Sequence, residues 1–297
     1  MSSNPSSVPS FLKSDRMFMG LCMLLATLLC TLMLNPYLTV VNHDSAIFCL
    51  LGQSLANGAG YVLQSGPVSE PYFTFPPLLP LMIAGLMKLF SVSDPAQIQM
   101  PIKSIGHILF ISSIPLFYLG LRQHFSSFSA RLLTVLLTIN PLIYKYSSDI
   151  LSDVPYWGLS LAALFVLSLW VQKHNTPSDN RKLHVGLLLG GLLLVALSMW
   201  MRQVGVSLGL AWMLFLGYQQ FTQKNPLKAL VLSGVVLLAC ACIWPAYEHH
   251  YRSTHTVEAE TLNQADVKNV LDNSPIKLEF IKHFLVQNPI ADDQAAM

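Results

Sequence analysis

Long apolar runs separated by short polar breaks organise this chain. The first runs from about Met17 to Leu38 and exits through Asn35-Pro36-Tyr37. Others cover about Ser104 to Leu121, Phe128 to Tyr146, Val154 to Trp170, Leu183 to Trp200, Val204 to Phe221 and Leu227 to Tyr247. Each approaches the roughly 20 residues a helix needs to cross hydrocarbon, and no alternating ten-residue pattern suggests a barrel. The pattern predicts an all-α, polytopic membrane protein with about seven transmembrane helices. Tyr144, Tyr146, Tyr156, Trp157, Trp170, Trp200, Trp244 and Tyr247 fall at the predicted helix ends, where aromatic belts form.

The stretch after the first crossing, about residues 39 to 103, mixes polar and apolar positions and reads as an outer loop. Within it Asp44 can N-cap a short helix that carries Ile47, Leu50, Leu51 and Leu55 on one side and stops at Asn57-Gly58. Such a helix lies on the membrane surface. Pro76 to Phe90 is apolar but only about 15 residues long, short of a full crossing. Basic residues decide its reading. If it does not cross, Lys13, Arg16, Arg122, Arg131, Lys173, Arg181, Lys182, Lys224 and Lys228 lie inside, against Lys88, Lys103, Lys145 and Arg202 outside. That is the distribution the positive-inside rule favours, and it puts the N-terminus in the cytoplasm. The same arrangement brings Asp44, Glu70, Asp149, Asp153 and Arg202 to one outer face.

Composition narrows the class. Hydrophobic residues make up 53% of the 297 and charged residues 11%, with a mean hydropathy of +0.51, whereas soluble domains are about one quarter charged. A net charge of +2 with scattered basic residues leaves no footprint for nucleic acid. The five cysteines show no metal or disulfide spacing. The first apolar run is too long for a signal peptide and lacks a clear cleavage site, so it reads as an uncleaved helix. Three regions follow: a cytoplasmic tail over 1–16, a membrane domain over 17–247, and an outer tail over 248–297. The tail contains an amphipathic pattern at Ile276, Phe280, Ile281, Phe284 and Leu285.

Few side chains could carry chemistry. Asp44 suits two roles, a helix N-cap or a general base that takes a proton from an acceptor hydroxyl. Asp149 and Asp153 lie four apart before a membrane helix, and Asp153 with Pro155 is also good capping chemistry. Arg202 stands between two apolar runs without a carboxylate nearby in sequence. It either snorkels to lipid phosphate or holds a specific phosphate with its planar fork. Lys88, Lys103 and Lys145 repeat that argument more weakly. Glu248, His249 and His250 read as a solvated helix end rather than a metal cluster.

The order of these features resembles a family. Ala46 to Tyr61 reads A-x5-G-Q-x-L-x2-G-x-G-Y, Tyr72 to Leu81 reads YFTFPPLLPL, and Ser152-Asp153-Val154-Pro155 follows. Over about Met17 to Tyr247 the chain resembles the GT-C membrane glycosyltransferases, in particular the protein O-mannosyltransferases and lipid A aminoarabinose transferases. The resemblance implies inverting transfer of a sugar from a polyprenyl-phosphate donor to a hydroxyl on a glycan, lipid or protein acceptor, at the outer face of the cell (inner or plasma) membrane. It implies Asp44 as catalytic base and Asp153 as a second catalytic acid site. Arg202, Asp149, Lys103 and Tyr61 are the expected substrate-binding residues. The carrier and membrane lipid are partners; a divalent cation is left open as cofactor. Ser45 stands where many relatives have Glu, and Phe75 where many have Lys or His before the proline pair. Arg202 is therefore the expected donor-phosphate contact. The chain is shorter than such relatives, as a fragment or a minimal member would be. The competing classes are a transporter or lipid flippase, and a non-catalytic truncated homologue. Against a transporter, the mid-span regions are nearly free of ionisable groups and the carboxylates gather at one face.

Overall fold

A computed structural model describes residues 10–34, 43–63, 70–174, 181–223 and 227–261 of the chain. Ten α-helices are present among them: α1 (Ser10–Met33), α2 (His43–Ala56), α3 (Leu78–Phe90), α4 (Gln99–Arg122), α5 (Ser127–Thr138), α6 (Pro141–Ser148), α7 (Asp153–His174), α8 (Arg181–Met201), α9 (Gly205–Gln223) and α10 (Leu227–Thr261). A two-stranded antiparallel ribbon, β1 (Val62–Leu63) with β2 (Glu70–Pro71), and a 3-10 turn over Pro95–Ile98 complete the loop region.

Five helical segments are long and apolar enough to cross a membrane: Ser14–Met33, Pro95–Arg122, Asp153–Lys173, Leu183–Met201 and Leu227–Tyr251. The protein is a multi-pass membrane protein. The expected crossing from Phe128 to Tyr146 is instead a pair, α5 and α6, bent by 45°. The bend has a local cause. The Asn140 side chain accepts from Leu142 N at 3.0 Å, and Pro141 at the first position of α6 has no N–H to continue α5. The expected crossing from Val204 to Phe221 is α9, a 19-residue helix whose last turns carry Gln219, Gln220, Thr222 and Gln223. Those polar residues keep it out of the apolar set, so the described residues supply five crossings, or six with the bent pair, where seven were expected. At 13 residues α3 spans about 20 Å, short of the roughly 30 Å of hydrocarbon.

Packing follows the sequence order. α7 and α8 form the most extensively packed pair, an antiparallel hairpin, and α4 packs on α7 and α1. One apolar core joins Ala163, Leu167 and Trp170 of α7 to Leu188, Leu192 and Val195 of α8, with Trp212 and Leu216 of α9. A second lies beneath the loop region and contains Phe48 and Cys49 of α2, Ile83 and Met87 of α3, Ile102 of α4, Ile150 and Met201. α2 and α3 approach closely because residue 52 is glycine. A Cβ there would meet Ile83 Cβ at 2.7 Å. The α2 helix ends as its sequence predicts, with Gly58 at φ 78° and Ala59 N donating to Ser54 O at 3.0 Å. Residues from Pro245 onward form a separate unit. The exit at Asn35-Pro36-Tyr37 and the amphipathic pattern from Ile276 to Leu285 lie outside the described residues, as does the side chain of Glu70.

Candidate functional site

The second core carries the candidate residues on its rim. Phe48 lies one turn beyond Asp44, Ile150 follows Asp149, and Met201 precedes Arg202; all three are in that core. Apolar burial at these neighbours therefore draws the three polar positions Asp44, Asp149 and Arg202 to its margin. Asp44 sits in the first turn of α2 and is half-buried. A carboxylate there also interacts favourably with the helix dipole.

Asp153 and Arg202 form an ion pair, with side chains 42% and 39% exposed. The hairpin explains it. Asp153 opens α7 and Arg202 directly follows α8, so antiparallel packing brings both to the same end. Each charge also complements its helix terminus, the acid at an N-terminus and the base at a C-terminus. Arg202 lacks a carboxylate in its sequence neighbourhood but has one in the fold. The turn that holds it is tight: Arg202 N donates to Ser198 O at 3.0 Å and Gly205 N to Arg202 O at 2.8 Å. A Cβ at Gly205 would lie 2.6 Å from the Met199 backbone, so only glycine fits.

Lys103 is 2% exposed and lines a cavity of about 10 Å³ with Asp149, Tyr146 and Ser147. That is room for about one water. Asp149 ends α6 in extended conformation and acts electrostatically on Lys103. The structure thus couples two of the expected substrate-binding residues to each other, with Lys103 away from the surface. Tyr61 is 2% exposed, and its hydroxyl donates to Phe75 O at 3.0 Å, with Pro76 O at 3.3 Å. Its ring stacks on Phe73 and meets the edge of Trp244 at 4.8 Å. Burial pushes the Tyr61 phenol well above its ordinary range. Its hydroxyl is committed to the loop carbonyls.

Two residues that sequence reasoning passed over help build the loop. Gln203 Nε2 donates to Thr74 O at 2.7 Å, tying the 72–77 segment to the turn that carries Arg202. Trp244 backs Tyr61 and Phe73. A polar residue beside Arg202 was the available signal for Gln203; Trp244 read only as a belt aromatic. Beneath the loop, burial and the nearby Asp94 carboxylate push the Cys49 thiol up to about 11. Among the described residues no three His, Cys, Asp or Glu side chains gather to hold a metal ion.

No family model and no curated protein matches the chain. Solved structures do. The archaeal oligosaccharyltransferase AglB from Archaeoglobus fulgidus, in complex with an inhibitory peptide and a dolichol-phosphate, superposes with a TM-score of 0.57 at 14% identity, over 77% of this chain and 29% of AglB. ArnT from Cupriavidus metallidurans in the apo state superposes with a TM-score of 0.56 at 16% identity, over 82% of this chain and 43% of ArnT. The chain shares its fold with these GT-C glycosyltransferases. The chain spans under half the length of the GT-C proteins it matches. On this scaffold Asp153 and Arg202 meet at the end where α7 begins and α8 ends.

Proposed function

We propose that this chain is a glycosyltransferase domain that moves a sugar from a polyprenyl-phosphate donor to a hydroxyl acceptor. The observation that supports it best is the Asp153–Arg202 ion pair on the rim of the core that also seats α2 and Asp44. The pair offers a guanidinium whose five donors exceed what one carboxylate can use, so phosphate oxygens can share the fork. The dolichol-phosphate in the AglB complex supports a phosphate-linked isoprenoid as carrier.

In this reading Asp44 accepts the proton of the acceptor hydroxyl as its oxygen attacks the anomeric carbon. The bond from that carbon to the phosphate oxygen breaks, and the phosphate leaves with the electron pair. Attack opposite the leaving group inverts the anomeric centre. Arg202 stabilises the charge that grows on the phosphate, and Asp153 positions Arg202. Asp149 and Lys103 together stiffen the α6–α7 junction behind Asp153.

The test uses purified protein with dolichyl- and undecaprenyl-phosphate sugars and a panel of hydroxyl acceptors. Release of lipid phosphate coupled to glycoside formation is the expected result. Binding of the lipid without bond cleavage, for wild type under every acceptor, would discard the enzyme reading in favour of a transporter or scaffold.

A further inference from the structure

A second cavity, of about 450 Å³, opens at the opposite end of the bundle from Asp153. Its volume falls in the range of small-molecule sites, roughly 300–1,000 Å³. It lies between α7 and α9, which both pack on α8 but touch each other little. Leu164 and Val171 form one wall, and Leu208, Ala211 and Phe215 the other. One end of the groove is polar. There Gln172 Nε2 donates to Gln123 Oε1 at 3.0 Å, with His124 beside them.

The groove has the dimensions and polarity of one leaflet of a bilayer. From Leu164 to Gln172 it follows α7 for about 12 Å at about 1.5 Å per residue, close to half of a roughly 30 Å hydrocarbon core. Its polar end coincides with the ends of the membrane segments Pro95–Arg122 and Asp153–Lys173, where the chain reaches the interface. Lys173 adjoins Gln172 in sequence and puts positive charge at that rim, whereas Arg122, beside Gln123, pairs with Asp15 at 3.8 Å. A cation at a polar rim and an apolar slot one leaflet deep match a phosphodiester above an acyl chain.

We infer that this groove binds a bilayer glycerophospholipid, one acyl chain between α7 and α9 and the phosphate at the Gln123–Gln172 rim. Bound there, the lipid fills a gap that side chains leave, and so wedges the two helices at a fixed spacing. The site is separate from the Asp44 and Arg202 rim, so the inference stands whether or not the proposed transfer activity does.

The experiment reconstitutes the full chain in nanodiscs containing phosphatidylglycerol with a diazirine midway along one acyl chain, then maps adducts after irradiation. Adducts on 164–172 and 208–215 are expected to exceed those on the exposed α10 residues Val231, Val235 and Leu238 by about tenfold, the ratio that about 1.4 kcal/mol of preferential binding gives. Ala211→Trp fills the slot and should abolish the excess while α10 labelling stays unchanged, which also reports that the bundle is intact. Should that variant misfold, Lys173→Glu provides the second arm, lowering groove labelling through the headgroup alone. Uniform labelling of all lipid-facing helices would overturn the inference, as would an excess that survives both variants. Displacement of the adducts by an equimolar polyprenyl phosphate would assign the groove to an isoprenoid and equally overturn it.

Discussion

Arg202 reaches Asp153 across the open end of the α7–α8 hairpin, so the cation expected to meet a phosphate is already held by a carboxylate. Both side chains are about two-fifths exposed, and exposed pairs contribute only about 0–1 kcal/mol to stability. The pair therefore matters more for orientation than for folding. Arg202→Ala should lower turnover by about 10²–10³, as for other losses of a charge-stabilising donor, with melting temperature nearly unchanged. Arg202→Lys should keep part of the activity, because a point charge replaces the fork. Asp153→Asn should raise the KM for lipid donor more than it lowers kcat. Donor saturation curves for the three variants check this, and unchanged donor kinetics in Arg202→Ala would remove Arg202 from the site.

Asp44 is the second residue of α2, inside its first turn and not at its N-cap, so Asp44→Asn keeps the side chain's shape there while removing the group that can accept the proton. Turnover should fall by about two to four decades with insertion and melting temperature near wild type. Undiminished turnover would leave Asp44 as a first-turn helix residue only.

Tyr61 holds the 72–77 segment from below while Gln203 holds it from the side. Tyr61→Phe keeps the ring stack and leaves the Phe75 and Pro76 carbonyls without their donor, at a cost of about 1–3 kcal/mol. A thermal shift assay should show the loss, with Gln203→Ala adding to it less than additively because both act on one segment. A thermally silent Tyr61→Phe would return that hydroxyl to the list of substrate contacts.

Gly205→Ala tests the turn that presents Arg202. The new methyl must displace the Met199 backbone, 2.6 Å away, and overpacking of this kind costs about 1–3 kcal/mol. Activity should fall further than stability predicts, since the displaced segment leads directly into Arg202. Circular dichroism melts beside turnover measurements distinguish the two effects.

Alkaline pH should weaken the region beneath the loop. The Cys49 thiol is held neutral to about 11 in the folded protein against an ordinary value of 9.0. Stability from this group is complete below 9, and is lost as pH rises toward 11 because the unfolded thiol ionises first. At about 1.4 kcal/mol for each pH unit of separation, the full loss is about 3 kcal/mol. The raised Tyr61 phenol acts in the same direction at still higher pH. Cys49→Ala should flatten the fall in melting temperature between pH 9 and 11, and an unchanged slope would exclude Cys49 as its source. Native Cys49, 5% exposed, should also resist alkylation at neutral pH until the protein unfolds.

Hydrophobic patterning along the chain determined the all-α class, the position of most membrane helices, the helix after residue 42 and its stop at Gly58. These are local properties. A run of about 20 apolar residues and a glycine after a helix each act through their own neighbours. Tertiary structure decided the rest. Arg202 found Asp153 only because α7 and α8 pack antiparallel, a pairing that no spacing in the sequence encodes. Lys103, read as a surface cation, is buried beside Asp149 because α4 packs against α6 there. Tyr61 is likewise claimed by loop carbonyls that lie far along the chain. Composition and periodicity act residue by residue, while a side chain's partner depends on which helices meet, and that is set by packing of the whole bundle.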